Sequence, residues 1–115
     1  MQIHIKNLRL RAIIGIFDWE RTHKQDVIIN ARIDFDGRQV SENDRIESTV
    51  DYKMLSKRII SFVEESEFFL LEKLADRILQ LIMDDPKVDR AVVEVDKPQA
   101  LRFADSVSVQ CEAQR

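Results

Sequence analysis

Cysteine is almost missing from this 115-residue chain. The one thiol, Cys111, excludes an internal disulfide and suits a reducing compartment. It falls in the alternating run Val107, Val109, Cys111, where it reads as a small core residue rather than a nucleophile. Basic residues are outnumbered: 18 Lys and Arg against 21 Asp and Glu leave a formal charge of −3 and a pI near 5.4. Such a surface offers no broad positive field for nucleic acid or anionic lipid, although a local basic cluster can still bind phosphate. No apolar run approaches the ~18 residues that span a bilayer. The opening Met1-Gln2-Ile3-His4-Ile5 lacks the basic and apolar regions of a signal peptide, so a cytoplasmic protein is expected. His4 and His23 have no partners at metal-site spacing, and no metal is expected.

What is present describes an ordinary folded domain. Hydrophobic residues make up 44% and charged residues 34%, and the length suits one domain spanning 1–115 with a real core. Ile3 and Ile5 alternate, then parity changes to Leu8, Leu10, Ala12 and Ile14. A switch near Lys6-Asn7 predicts a bulge or bend within one long strand. Gly15, one of only two glycines, ends that strand and marks a backbone constraint. Residues 17–25 form a polar loop with two aromatics, and a loop carrying Trp19 is expected to be docked. Val27, Ile29, Ala31, Ile33 and Phe35 define one face of a second strand. Residues 36–50 read as a charged connection.

From Asp51 the period becomes helical. Tyr52, Leu55, Ile59, Phe62 and Val63 share one stripe; Leu71, Leu74, Ile78, Leu81 and Ile82 share a second. Tyr52, leading the first stripe, reads as core with a satisfied hydroxyl. Glu72, Lys73, Asp76 and Arg77 are expected to form i,i+4 charge pairs on an exposed side. Asp84-Asp85-Pro86 stops the second helix, and strands are predicted over about 89–97 and 103–113.

The order strand, strand, helix, helix, strand, strand implies an α+β fold: one mainly antiparallel four-stranded sheet with the helices on one face. The other face, with Ile28 and Val92 among polar residues, is left uncovered, and two sheet edges stay open. A closed symmetric homo-oligomer is the economical solution. A ferredoxin-like binding module would need a different order of elements. RNA binding is opposed by the acidic balance and by the lack of an aromatic pair on a strand face.

The segment Val93 to Val109 delivers Lys97 to the mouth of the sheet just before Pro98. A lysine held between two strands there is a candidate proton-transfer group.

Four motifs, in order, resemble the dihydroneopterin aldolase/epimerase family. They are Ile14-Gly15-Ile16-Phe17-Asp18-Trp19-Glu20 with Gln25, Thr49-Val50-Asp51-Tyr52, Leu70-Leu71-Glu72-Lys73-Leu74-Ala75, and Asp96-Lys97-Pro98. The stretches Ile5 to Arg11 and Ala100 to Ser108 look like the epimerase branch. Val107-Ser108-Val109 stands where aldolases carry a glycine-bearing step. The resemblance implies the tunnelling fold (T-fold), a homo-octamer with active sites between subunits, and no metal or organic cofactor. It further implies an isomerase acting on C2' of the side chain of dihydroneopterin triphosphate. The alternative on the same scaffold is aldol cleavage, releasing glycolaldehyde.

Carried over by motif, the resemblance makes Glu72 the pterin anchor, with Leu71 beside it. A carboxylate accepts the two parallel N–H donors of the pterin edge as a fork. Tyr52 would border the pterin and share in proton transfer, Glu20 would meet the substrate's hydroxylated chain, and Gln25 would lie nearby. Lys97 becomes the general acid/base, working through a water, with desolvation and a nearby cation tuning it. This reading brings Lys97 and Glu72 together around one heterocycle, across a subunit boundary. Arg102 is the first candidate for the phosphates, followed by Arg21, His23 and Lys24. Asp18-Trp19 would seat the loop.

Overall fold

In the computed structural model, which describes residues 1–115, the alternating segments form β1 (Gln2–Ala12), β2 (Gln25–Phe35), β3 (Val88–Lys97) and β4 (Val107–Gln114). They lie side by side in the order β1-β2-β3-β4, each pair antiparallel. The bulge is where parity changes. Ile5 pairs with Ala31 and Leu8 with Ile29, so β1 takes three steps while β2 takes two. Asn7 absorbs the extra residue at φ 54°, a left-handed conformation that asparagine tolerates, and its N–H donates to Asn30 Oδ1 at 2.9 Å. Leu8, Leu10 and Ala12 thereby return to the face of Ile3 and Ile5.

The expected connection after β2 contains a short helix, α1 (Arg38–Asn43), followed by a 3-10 turn at Ile46–Ser48. Because α1 buries none of its residues, no apolar periodicity announced it. Helices α2 (Tyr52–Glu65) and α3 (Leu71–Met83) cover one face of the sheet. Asp51 caps α2 by accepting the Met54 N–H at 3.0 Å. Ile59 and Val63 from α2, and Leu74, Ile78 and Ile82 from α3, meet Val27, Ile29 and Ile33 of β2 and Val93 and Val95 of β3. Truncating one of these fully buried isoleucines to alanine would cost about 2–5 kcal/mol.

Some expectations need correction. Tyr52 is 61% exposed, so the buried stripe of α2 starts only at Leu55. Strand β4 starts at Val107 rather than 103, because Lys97, the last residue of β3, already pairs with Val107. Residues 98–106 have no strand to pair with and project as a loop, leaving Phe103 98% exposed. The charge pairs expected on α3 do not form, since a spacing of four matches Glu72 with Asp76 and Lys73 with Arg77; Asp76 accepts instead from Gln80.

On the uncovered face Arg90 bridges Asp34 and Glu112, and Val92 is shielded between its register partners Arg32 and Glu112. Both β1 and β4 are open edges. No helix is long and apolar enough to cross a membrane.

Candidate active site

The site grows from the end of β3. Lys97 closes that strand, and its ammonium Nζ donates to Glu20 Oε2 at 2.5 Å. Glu20 lies in a 3-10 turn (Asp18–Arg21) between β1 and β2 and, at 5% exposure, is the one charged side chain buried in the chain. Three donors enclose its carboxylate. Beside Lys97, Gln25 Nε2 donates to Oε2 at 3.0 Å, and the Phe17 N–H donates to Oε1 at 3.2 Å. Gln25 is itself fixed by donating to the Ile14 carbonyl at 2.7 Å.

Burial alone would raise the Glu20 carboxyl. The hydrogen bonds from Lys97, Gln25 and Phe17, with the charge of Lys97, overcome that and hold it at about 2 against an ordinary 4.5. The carboxylate therefore stays ionised. Lys97 and Glu20 form a neutral pair, so the charged group next to the lysine is an anion and not the cation expected.

Gly15 explains how the carboxylate fits. A Cβ built on Gly15 would fall 2.2 Å from Glu20 Cδ, and the backbone there has φ +133°, a region side chains rarely adopt. The carboxylate occupies the space a side chain would take.

Glu72 shares this end of the molecule. Helix α3 starts at Leu71, runs to Met83, and leads into β3, which returns to Lys97. The connection before α3 lies against the Glu20 loop, for the Gly15 N–H donates to the Phe68 carbonyl at 3.3 Å. Glu72 stands exposed in the first turn, beside N–H groups that have no intrahelical acceptor and no capping side chain from Leu70. Leu71 belongs to the core cluster, so its backbone rather than its side chain faces this region.

Tyr52 is elsewhere. Lys87 donates to the Thr49 carbonyl at 3.2 Å, which fixes the Thr49–Tyr52 segment beside the start of β3. The ten residues of β3 separate that point from Lys97 by about 30 Å. The 14 residues of α2 likewise put about 20 Å between Tyr52 and the α2–α3 connection. Lys97, Glu20, Gln25 and the start of α3 are thus brought together in one chain; Tyr52 is not.

The family model for FolB, dihydroneopterin aldolase, matches residues 3–112. The chain belongs to the dihydroneopterin aldolase family. It is 48% identical to a dihydroneopterin triphosphate 2'-epimerase of Pseudomonas aeruginosa, over 94% of this chain and 88% of that one. Identity is 42% to the enzyme of the same description from Escherichia coli K12, over 98% and 94%. The crystal structure of E. coli dihydroneopterin aldolase in complex with neopterin superposes with a TM-score of 0.93 at 25% identity, covering 98% of both chains. The sheet and helices are the T-fold of this family.

Arg102 sits on the 98–106 loop just past Lys97, holds no ion pair, and leans on the ring of Phe103. Arg21 is withdrawn as a phosphate ligand because backbone carbonyls occupy its guanidinium. His23 Nδ1 lies 2.9 Å from the Trp19 carbonyl, and Lys24 borders a small hollow with Trp19 and Gln25. Trp19 itself is exposed, so the loop is seated by Glu20 and Arg21, not by the indole. The Cys111 thiol is pushed up by burial and then by the charge of Asp76, the reverse of an activated nucleophile. Gly15 carried a signal in its rarity. Arg21 carried none, since two of its three carbonyl partners lie 46 and 47 positions away.

Proposed function

We propose that this chain, acting as a single domain in the cytoplasm, inverts C2' of 7,8-dihydroneopterin triphosphate at sites shared between neighbouring copies. One observation carries the reading: the buried Lys97–Glu20 pair stands at the same end of the molecule as the Glu72 helix start. The higher identity to epimerases supports the choice of outcome over cleavage.

Glu72 accepts the two parallel N–H donors of the pterin edge, and the free N–H groups beside it offer donors to a ring acceptor. In molecules where Lys97 has first released its proton, its free amine, through one water, takes the proton of the 2'-hydroxyl. As the O–H electrons form the C2' carbonyl, the C1'–C2' bond breaks and its electron pair enters the dihydropterin, giving an enamine-type anion with its charge on N5. Glu20 stabilises the ammonium that Lys97 has become, in a site where water no longer screens the two charges. The aldehyde fragment turns, presents its other face, and the enamine re-forms the C1'–C2' bond. The ammonium returns its proton to the C2' alkoxide, so atoms and protons balance and only the configuration changes.

Retention of the aldehyde separates epimerisation from cleavage. Arg102, on the loop that follows Lys97, is the residue we assign to the triphosphate, where a guanidinium can bind bidentately. Gln25 fixes Glu20, Glu20 holds the lysine, and Glu20, with both oxygens engaged, acts through it. Tyr52 comes from a second copy to border the pterin. A homo-octamer of two stacked rings, with the open edges of β1 and β4 joined between copies, satisfies this need.

The deciding experiment supplies dihydroneopterin triphosphate and dihydroneopterin separately to the purified protein. Monapterin-type product from the triphosphate is expected to dominate. Glycolaldehyde released chiefly from the unphosphorylated substrate would overturn the assignment in favour of the aldolase.

A further inference from the structure

We infer that Arg21 is a positioning residue that sets the spacing between the proton-transfer pair and the pterin anchor. The inference rests on the reaction proposed above but concerns a side chain which that reaction does not use.

The guanidinium of Arg21 joins two separate segments. Its Nη1 donates to the Gly15 carbonyl at 2.9 Å and to the Phe68 carbonyl at 3.0 Å, and its Nη2 donates to the Glu67 carbonyl at 2.6 Å. Its plane lies over the Phe69 ring, 4.0 Å from the centroid. A fixed planar fork can meet three carbonyls and a ring face at once; an ammonium on a flexible stem cannot. The Gly15 N–H bonded to Phe68 O lies alongside and closes the same seam.

What the two segments carry gives the seam its meaning. On one side, Gly15 and Arg21 bracket the turn that holds Glu20, which fixes Lys97. On the other, Glu67, Phe68 and Phe69 lead directly into Leu71 and Glu72. No other side chain hydrogen bond or ion pair ties residues 14–25 to residues 66–72. Arg21 therefore holds the lysine at a set distance from the carboxylate that grips the heterocycle. A displacement of about 1 Å between reacting groups costs on the order of 100-fold in rate.

The test compares Arg21→Ala and Arg21→Lys with the intact wild-type protein, which must first turn over dihydroneopterin triphosphate. Wild type without turnover sinks the proposed function and is read apart from the variants. For each protein, kcat, KM, melting temperature and affinity for neopterin (by its fluorescence) are measured. Arg21→Ala is expected to fold, to lose about 100-fold in kcat, to bind neopterin more weakly, and to recover partly with added guanidinium. Arg21→Lys is expected to regain melting temperature without regaining kcat. The inference fails if folded Arg21→Ala keeps kcat and neopterin affinity within about twofold of wild type. It also fails if Arg21→Lys restores activity in step with stability; should the alanine variant not fold, the lysine variant alone decides.

Discussion

Lys97 and Glu20 lie 77 positions apart in the chain, yet the ammonium stands 2.5 Å from the carboxylate with both side chains nearly sealed from solvent. Removing one member of such a pair strands the other, so activity and stability must be separated by design. Lys97→Ala should lower turnover by about 100-fold to 10,000-fold, and should also lower the melting temperature. The double variant Lys97→Met/Glu20→Gln should recover much of the stability and none of the turnover. Recovery of turnover in that protein would remove Lys97 from the chemistry.

The acid limb of stability has a defined sign. Folding lowers the Glu20 carboxyl from 4.5 to about 2, so unfolded chains bind more protons between those values and stability rises with pH across that window. The contribution is complete above the unfolded value and is lost as pH falls through about 2. Asp36, beside Arg38, is also held near 2, so wild type alone does not isolate the effect. Denaturation of wild type and Glu20→Gln should give a difference that is flat at neutral pH and shrinks below about 4.5. A difference that stays constant into acid would contradict the assignment.

Gly15→Ala should be far more damaging than a surface glycine change. The added methyl would meet the Glu20 carboxyl at 2.2 Å, and φ +133° is strained for any side chain. The expected result is a loss of about 1–3 kcal/mol in stability together with most of the turnover. Unaltered activity would mean that the carboxylate has room to spare.

Subunit mixing tests the shared site. Lys97→Ala and Tyr52→Ala proteins, the first without its base and the second without the ring that borders the pterin, are dissociated and reassembled together. Interfaces that pair a native Lys97 with a native Tyr52 should then appear, restoring about a quarter of the activity if the copies mix at random. No gain over the separate variants would place both residues in one subunit's site and defeat the proposal.

Asp51→Ala should cost about 1 kcal/mol by leaving the Met54 N–H uncapped. Because the cap also fixes the backbone that presents Tyr52, KM for the pterin should rise with little effect on the core.

The sheet and the two long helices were legible because their apolar residues recur at periods of two and near 3.6, and the bulge showed as a parity change around Asn7. The short helix after β2 was not, since it buries nothing. Tyr52 and Trp19 misled for one reason: large aromatics suggest burial, and neither position carries a local signal that its ring stays exposed in the single chain. Glu20 was named from motif resemblance and Lys97 from its strand-end place as well, but their direct contact follows from tertiary pairing of a loop with a strand end. Arg21 was legible only as a charge, because a side chain's spacing does not announce backbone carbonyl partners, two of which lie 46 and 47 positions away.

About 30 Å of β3 stands between each lysine and its own chain's tyrosine. On the proposed reading, a molecule diluted until its copies part would keep its fold and fall silent, so specific activity should depend on protein concentration. A defect at position 52 would then be felt next door, in a centre whose lysine is sound.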